Sequence, residues 1–157
     1  MNGIIKQEIK RVFETLELNR EFIPGESKIP LAAPSFSYEE VEDALDSMLT
    51  TWVTMGKKVD SFENKFQEYL GIDNAIMVNS GSSANLLALS TLTNPLMENK
   101  IEKGSSIVTP AVTWSTTVSP IVNVGCKPLF VDVDLDTLCI DTDLLEESIS
   151  DDTSCIM

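Results

Sequence analysis

The sequence predicts an α/β fold, a mostly parallel sheet with helices on both faces. Three observations predict it. Short apolar runs at 75–78, 107–108, 129–131 and 153–157 alternate with stretches whose apolar residues recur at helical spacing. Each run is bounded by small or turn-forming residues, as strand–helix connections are. The chain has 157 residues, 43% apolar and 23% charged, enough for one domain with a core. Strands that alternate with helices pair in parallel, because each crossover helix returns the chain to the edge it started from.

Helical spacing begins at about Ile4. Ile5, Ile9, Val12, Phe13 and Leu16 share one face of a helix that runs to about Leu18. Asn19 to Pro34 contains Pro24, Gly25, Pro30 and Pro34 and reads as an extended connector. Residues 1–34 are therefore expected to be a helical leader and connector, and 35–157 the domain proper. Ser37 and Glu40 have capping-box spacing, so a second helix starts there with Val41, Ala44, Leu45, Met48 and Leu49 as its apolar stripe. Residues 50–58 break the pattern around Gly56. A third helix covers roughly 59–70, with Phe62, Phe66, Tyr69 and Leu70 inward and Gly71 as its terminating glycine. Then come a strand at 75–78 and a helix with Leu86, Leu89 and Leu92 inward. A strand at 107–108, a helix at 115–123 and a strand at 129–131 follow. After an acidic loop, a helix at 143–149 leads to a strand that is only beginning at the last residues. That ending is expected of a truncated domain; a short terminal edge strand is the simpler alternative.

Composition excludes several function classes. The net charge of −14 repels a phosphate backbone, so no nucleic-acid partner is expected. No apolar run approaches the ~20 residues of a membrane span, and the charged, interrupted first residues are no secretory signal. Cys126, Cys139 and Cys155 are widely spaced, and there is no histidine. This argues against a disulfide framework, a structural metal site and Ser-His-Asp or Cys-His catalysis, and for a reduced, cytoplasmic setting. Asp132, Asp134, Asp136, Asp141 and Asp143 crowd one region. They are read as turn and helix-capping residues, so no metal is expected.

Two segments carry candidate chemistry. The first is Val78-Asn79-Ser80-Gly81-Ser82-Ser83-Ala84-Asn85, between a strand and a helix. Free N–H groups and the positive end of a helix suit a phosphate monoester, and an ordinary serine or asparagine cap explains the same residues. It is neither a Walker loop nor GxGxxG, which argues against a generic nucleotide-binding domain. The second segment, 109–117 (TPAVTWSTT), follows the next strand, at the same carboxyl edge where open α/β sheets bind ligands. Trp114 there offers a flat face to a heteroaromatic ring, or plugs a gap between helix and sheet.

These segments carry a resemblance. NSGSSANLLAL is similar to the phosphate-cup motif of the DegT/DnrJ/EryC1/StrS sugar aminotransferases and dehydratases. TPAVTWSTTVSPIVNVGCKPLFVDVD resembles that family's strand, ring-stacking loop, helix and following strand. TTWVTMGKKVDSFENKFQEYLG resembles its leading segment, and the likeness spans about residues 29–157. The helical leader, the FIPGESKIPLAAPSF connector and the inserted LMENKIEKG are nearest the branch of CDP-4-keto-6-deoxyglucose 3-dehydratases.

The resemblance implies the amino-terminal part of the large domain of a fold-type-I pyridoxal 5'-phosphate (PLP) transferase, using PLP or pyridoxamine 5'-phosphate. It places Gly81, Ser82 and Ser83 around the cofactor phosphate and Trp114 over the pyridine ring. Thr54, Met55 and Gly56 fall near the substrate entrance. It implies a nucleotide-linked keto-deoxysugar substrate and a homodimer in full-length members. The Schiff-base lysine, or the histidine that replaces it in the dehydratase branch, falls beyond these residues, so no catalytic residue is assigned here. The chain alone is expected to give no turnover, and a non-catalytic fragment docking on a companion chain is the alternative.

Overall fold

The computed structural model describes residues 3–16, 22–29, 31 and 35–157. The chain divides into two compact units, Met1–Ile76 and Met77–Met157. Leu18 and, of the expected connector, residues 19–21, 30 and 32–34, including Pro30 and Pro34, lie outside the described residues.

The first unit is helical. Helix α1 spans Gly3–Thr15, α2 Tyr38–Leu49 and α3 Lys57–Leu70. α1 lies on α2. Phe13 meets Phe36 edge to face at 6.1 Å, Lys10 stands over the Tyr38 ring, and Lys6 pairs with Glu42 at 2.9 Å. The capping box forms as expected: the Ser37 hydroxyl accepts from Glu39 N–H, and the Glu40 carboxylate accepts from Ser37 N–H at 2.6 Å. The Ser37 backbone bond holds the Glu40 carboxyl below its ordinary range. α3 ends at Gly71, which takes the left-handed conformation at φ 68 that favours glycine.

One expectation fails on α3. Phe62, Phe66, Tyr69 and Leu70 are exposed, Tyr69 by 84%. Their spacing is helical, and Phe62 and Phe66 stack on each other at 5.8 Å. Periodicity identified the stripe; covering it needs a facing element that the described part of this unit does not supply.

The second unit holds the sheet. Helix α4 spans Gly81–Leu92, strand β1 Ser106–Pro110, helix α5 Ser115–Asn123, strand β2 Lys127–Val131, helix α6 Thr142–Ser148 and strand β3 Thr153–Ile156. The strand order is β2-β1-β3 and both pairings are parallel, as the alternation of elements requires. β1 is central. Ile107, Val108 and Thr109 are all fully buried, so both of its faces are covered, as in parallel sheets. Leu89 of α4 and Ile121 of α5 join Ile107 and Cys126 in one cluster, with Cys155 and Met157 packed against it. Burial pushes the Cys126 thiol above its usual range.

No strand forms at 75–78. A strand needs a ladder neighbour, and none of β1, β2 and β3 pairs with these residues. On α4 only Leu89 is buried; Leu86, Leu87 and Leu92 are exposed. GSSANLLALSTL is apolar around much of its circumference, a composition suited to a helix covered on several sides. The acidic loop behaves as caps and turns. Asp141 caps α6 by accepting from the N–H groups of Asp143 and Leu144, and Asp134 accepts from those of Asp136 and Thr137.

Candidate cofactor site

The start of α4 is organised by Ser80. This residue is extended at φ −164, which lets its hydroxyl turn back and accept from the Ser83 N–H at 3.2 Å. The same hydroxyl donates to Ser83 Oγ. The Ser80 carbonyl accepts from the Ala84 N–H. Gly81 and Ser82 keep the remaining N–H groups of the first turn, which an α-helix cannot satisfy internally. The capping explanation therefore holds for Ser80 and uses the backbone donor of Ser83. It leaves the backbone donors of Gly81 and Ser82, the hydroxyl of Ser82 and the hydroxyl proton of Ser83, whose oxygen already accepts from Ser80.

Gly81 itself is informative. It has no positive φ, and a Cβ built on it meets no atom within 4 Å. Neither backbone conformation nor packing within the chain requires glycine there. The space before the helix start is open, and the absent side chain lets another group approach the backbone closely.

Trp114 is the N-cap residue of α5 and extended, with no side-chain capping bond. Its indole is 73% exposed. It plugs no gap between helix and sheet, so the packing explanation of this tryptophan does not apply.

The two segments are neighbours. α4 lies against α5, and a groove of about 200 Å³ between them is lined by Ser82, Ser83 and Leu86 on one side and Thr116, Ser119 and Pro120 on the other. The lining is hydroxyl-rich and carries no ionisable side chain; Ser82 and Ser83 line it, whereas Gly81 and Trp114 do not, so an anion would be held at the helix start beside the groove, by backbone N–H groups, hydroxyls and the helix dipole. The larger groove, along α1, is lined by apolar residues such as Ile5, Ile9, Phe13 and Val41, with Glu8 the one charged group. It offers nothing to a phosphate.

Thr54, Met55 and Gly56 belong to the first unit. There the loop after α2 closes on itself: the Trp52 indole N–H donates to the Met55 carbonyl at 2.8 Å. A Cβ on Gly56 would stand 2.6 Å from that indole nitrogen. Gly56 thus has a local packing reason, which its position before α3 did not reveal.

Two further residues lie within the segments named from sequence but were given no role there. Asn85 donates its side-chain amide to the Thr116 carbonyl at 3.2 Å, joining α4 to α5. Thr109, near the carboxyl end of β1, is fully buried, and its hydroxyl has no hydrogen-bond partner among the described residues. An unpaired buried hydroxyl costs about 1–3 kcal/mol, whereas a same-shaped apolar group costs nothing. Thr109→Val is therefore expected to raise stability by about 1 kcal/mol, read as a higher urea midpoint. A lower midpoint would show that the hydroxyl has a partner.

Residues 34–157 match the DegT/DnrJ/EryC1/StrS aminotransferase family. The chain is 37% identical over 139 residues to the lipopolysaccharide biosynthesis protein RfbH of Salmonella typhimurium, covering 88% of this chain and 32% of that protein. It is 31% identical over 129 residues to the UDP-4-amino-4-deoxy-L-arabinose–oxoglutarate aminotransferase of Shewanella sediminis, covering 82% and 31%. Among solved structures, Escherichia coli GDP-4-keto-6-deoxy-D-mannose-3-dehydratase with bound hydrated PLP superposes with a TM-score of 0.75 at 36% identity, covering 82% of this chain and 33% of that one. The chain thus spans about a third of the length of the relatives it matches.

Proposed function

We propose a function from one premise, that this chain belongs to the DegT/DnrJ/EryC1/StrS aminotransferase family: it forms the phosphate cup and ring wall of a PLP- or pyridoxamine-phosphate-dependent enzyme. That enzyme acts as an aminotransferase or 3-dehydratase on a nucleotide-linked keto-deoxysugar, in the synthesis of lipopolysaccharide or a related polysaccharide. The relatives support both reactions, one being a nucleotide-sugar aminotransferase and another a nucleotide-sugar 3-dehydratase solved with PLP. The single observation that carries the reading is the open start of α4. Gly81 and Ser82 present backbone donors into free space, on a helix tied to the one that begins at Trp114.

The roles follow from that geometry. Gly81 allows close approach of the phosphate, Ser82 and Ser83 add hydroxyls, and the dipole of α4 offsets the anionic charge. Trp114 covers one face of the pyridine ring. When bound, the cofactor supplies the electron sink for bond making and breaking at the sugar carbon. Residues 35–157 form the amino-terminal part of the PLP-binding domain, and Thr54, Met55 and Gly56 stand at the substrate entrance. The lysine or histidine that handles protons at the cofactor is not among the residues assigned here, and no residue of this chain is assigned that task. The assembled enzyme is a cytoplasmic homodimer. Among the described residues no helix is long and apolar enough to cross a membrane.

Two measurements test this. PLP should bind the chain saturably, and NAD and ATP should not compete. With glutamate and a ketosugar nucleotide added, the chain alone should give no product. Turnover would contradict the reading that no residue of this chain handles the proton, and absence of PLP binding would contradict the site itself.

A second reading has its own support. The outer edge of β3 and the exposed apolar residues of α4 suit docking on a companion chain that carries the rest of the enzyme. Co-purification of the two chains and activity only when both are present would distinguish it from a single-chain enzyme.

A further inference from the structure

Helix α5 contains a proline at position 120, in its interior. Proline has no N–H, so it removes the bond that residue 120 would give to the carbonyl four residues earlier, and its ring pushes that carbonyl outward. The carbonyl four residues before Pro120 is that of Thr116. This is the carbonyl that receives the Asn85 amide, from α4, at 3.2 Å. Asn85 and Thr116 are half-buried and Pro120 is buried, so the freed carbonyl is partly screened from water and the amide supplies its partner. The sequence thus opens a hydrogen-bonding position on α5 and fills it from α4. Asn85 lies in the second turn of the helix whose first turn is the phosphate cup. Thr116 lies two residues after Trp114.

Resting on the proposed function, we propose that Asn85 is a positioning residue: through the carbonyl freed by Pro120 it fixes where Trp114 stands relative to Gly81 and Ser82, and so where the cofactor ring lies against the indole once its phosphate is seated. Asn85 touches neither the cofactor nor the substrate. It sets the spacing between the two contacts the cofactor makes with this chain.

The test separates the ring contact from the phosphate contact. Affinities for PLP and for inorganic phosphate are measured on the 157-residue chain, together with urea midpoints. Asn85→Leu is expected to weaken PLP roughly five- to tenfold, the size of an aromatic stacking contribution, and to leave phosphate affinity unchanged. Asn85→Asp, the same shape with no donor, should behave likewise, and Asn85→Gln, which keeps an amide donor, should recover part of the loss. The double variant Asn85→Leu/Pro120→Ala gives the Thr116 carbonyl an N–H within its own helix. Its urea midpoint should recover while its PLP affinity stays low.

Recovery of PLP affinity in that double variant would overturn the proposal, because Asn85 would then only satisfy a carbonyl. Unchanged PLP affinity in Asn85→Leu, or equal loss of PLP and phosphate, would overturn it too. If the unaltered chain binds phosphate but shows no preference for PLP, the proposed function fails, and this inference with it. That result differs from a variant that fails to weaken a PLP site already shown to exist.

Discussion

Gly81→Asp is expected to lower PLP affinity roughly a hundredfold while leaving the fold intact and slightly more stable. The two effects have opposite signs for physical reasons on the same residue. A side chain at 81 meets no protein atom within 4 Å, so it costs no packing. An aspartate in the first turn of α4, where no acidic residue now stands, interacts favourably with the helix dipole, contributing about 0.3–1 kcal/mol. Replacing glycine by a better helix former adds a further increment of about 0.5 kcal/mol. The carboxylate would also occupy the space where the phosphate approaches and repel it. Like charges about 4 Å apart near a protein surface cost on the order of 1–4 kcal/mol, which sets the hundredfold scale. Urea unfolding and a PLP titration of the same variant check both halves. A variant that loses stability along with affinity would show that Gly81 serves the fold and not a ligand.

Ile107→Ala is expected to destabilise the second unit by about 2–5 kcal/mol, the usual cost of a cavity at a fully buried aliphatic residue. Ile107 is 0% exposed on the central strand and touches the cluster that includes Leu89, Ile121 and Cys126. The fully buried apolar side chains among the described residues are few, so each carries a large share of the core. Against a typical total of about 5–15 kcal/mol, such a loss should be plain in the urea midpoint followed by circular dichroism. A change below about 1 kcal/mol would mean that the cluster is not what holds the sheet and its helices together.

The parts of the fold legible in the sequence were those decided locally. Ser37 and Glu40 announced the start of α2, Gly71 the end of α3, and the alternation of elements the parallel pairing of β1 with β2 and β3. What misled were features that depend on a neighbour. The residues at 75–78 read as a strand, yet a ladder requires a partner and none of the three strands pairs with them. Phe62, Phe66 and Tyr69 have the spacing of a buried stripe but remain exposed.

At the site, a glycine followed by hydroxyls at a helix start suits a phosphate and an ordinary cap alike, and it was the resemblance that placed Gly81, Ser82 and Ser83 around one. The sequence could not divide their donors. Only the geometry shows that Ser80 takes the Ser83 N–H and leaves those of Gly81 and Ser82. Asn85 was passed over because its partner lies 31 residues away. The signal that could have found it was Pro120, which frees a carbonyl at a calculable position. Thr109 opened the second segment but carried no signal of its own, since a threonine in a strand is ordinary until its hydroxyl is seen buried and unpaired.

The central claim is that one bound molecule sits between the start of α4 and the face of Trp114. Its most direct test is a fluorescence titration of the Trp52→Phe chain, in which Trp114 is the remaining indole. PLP should quench Trp114 emission saturably, and inorganic phosphate should reverse the quench by competing for Gly81 and Ser82. Trp114 emission that ignores PLP, or a quench that excess phosphate cannot reverse, would contradict the account.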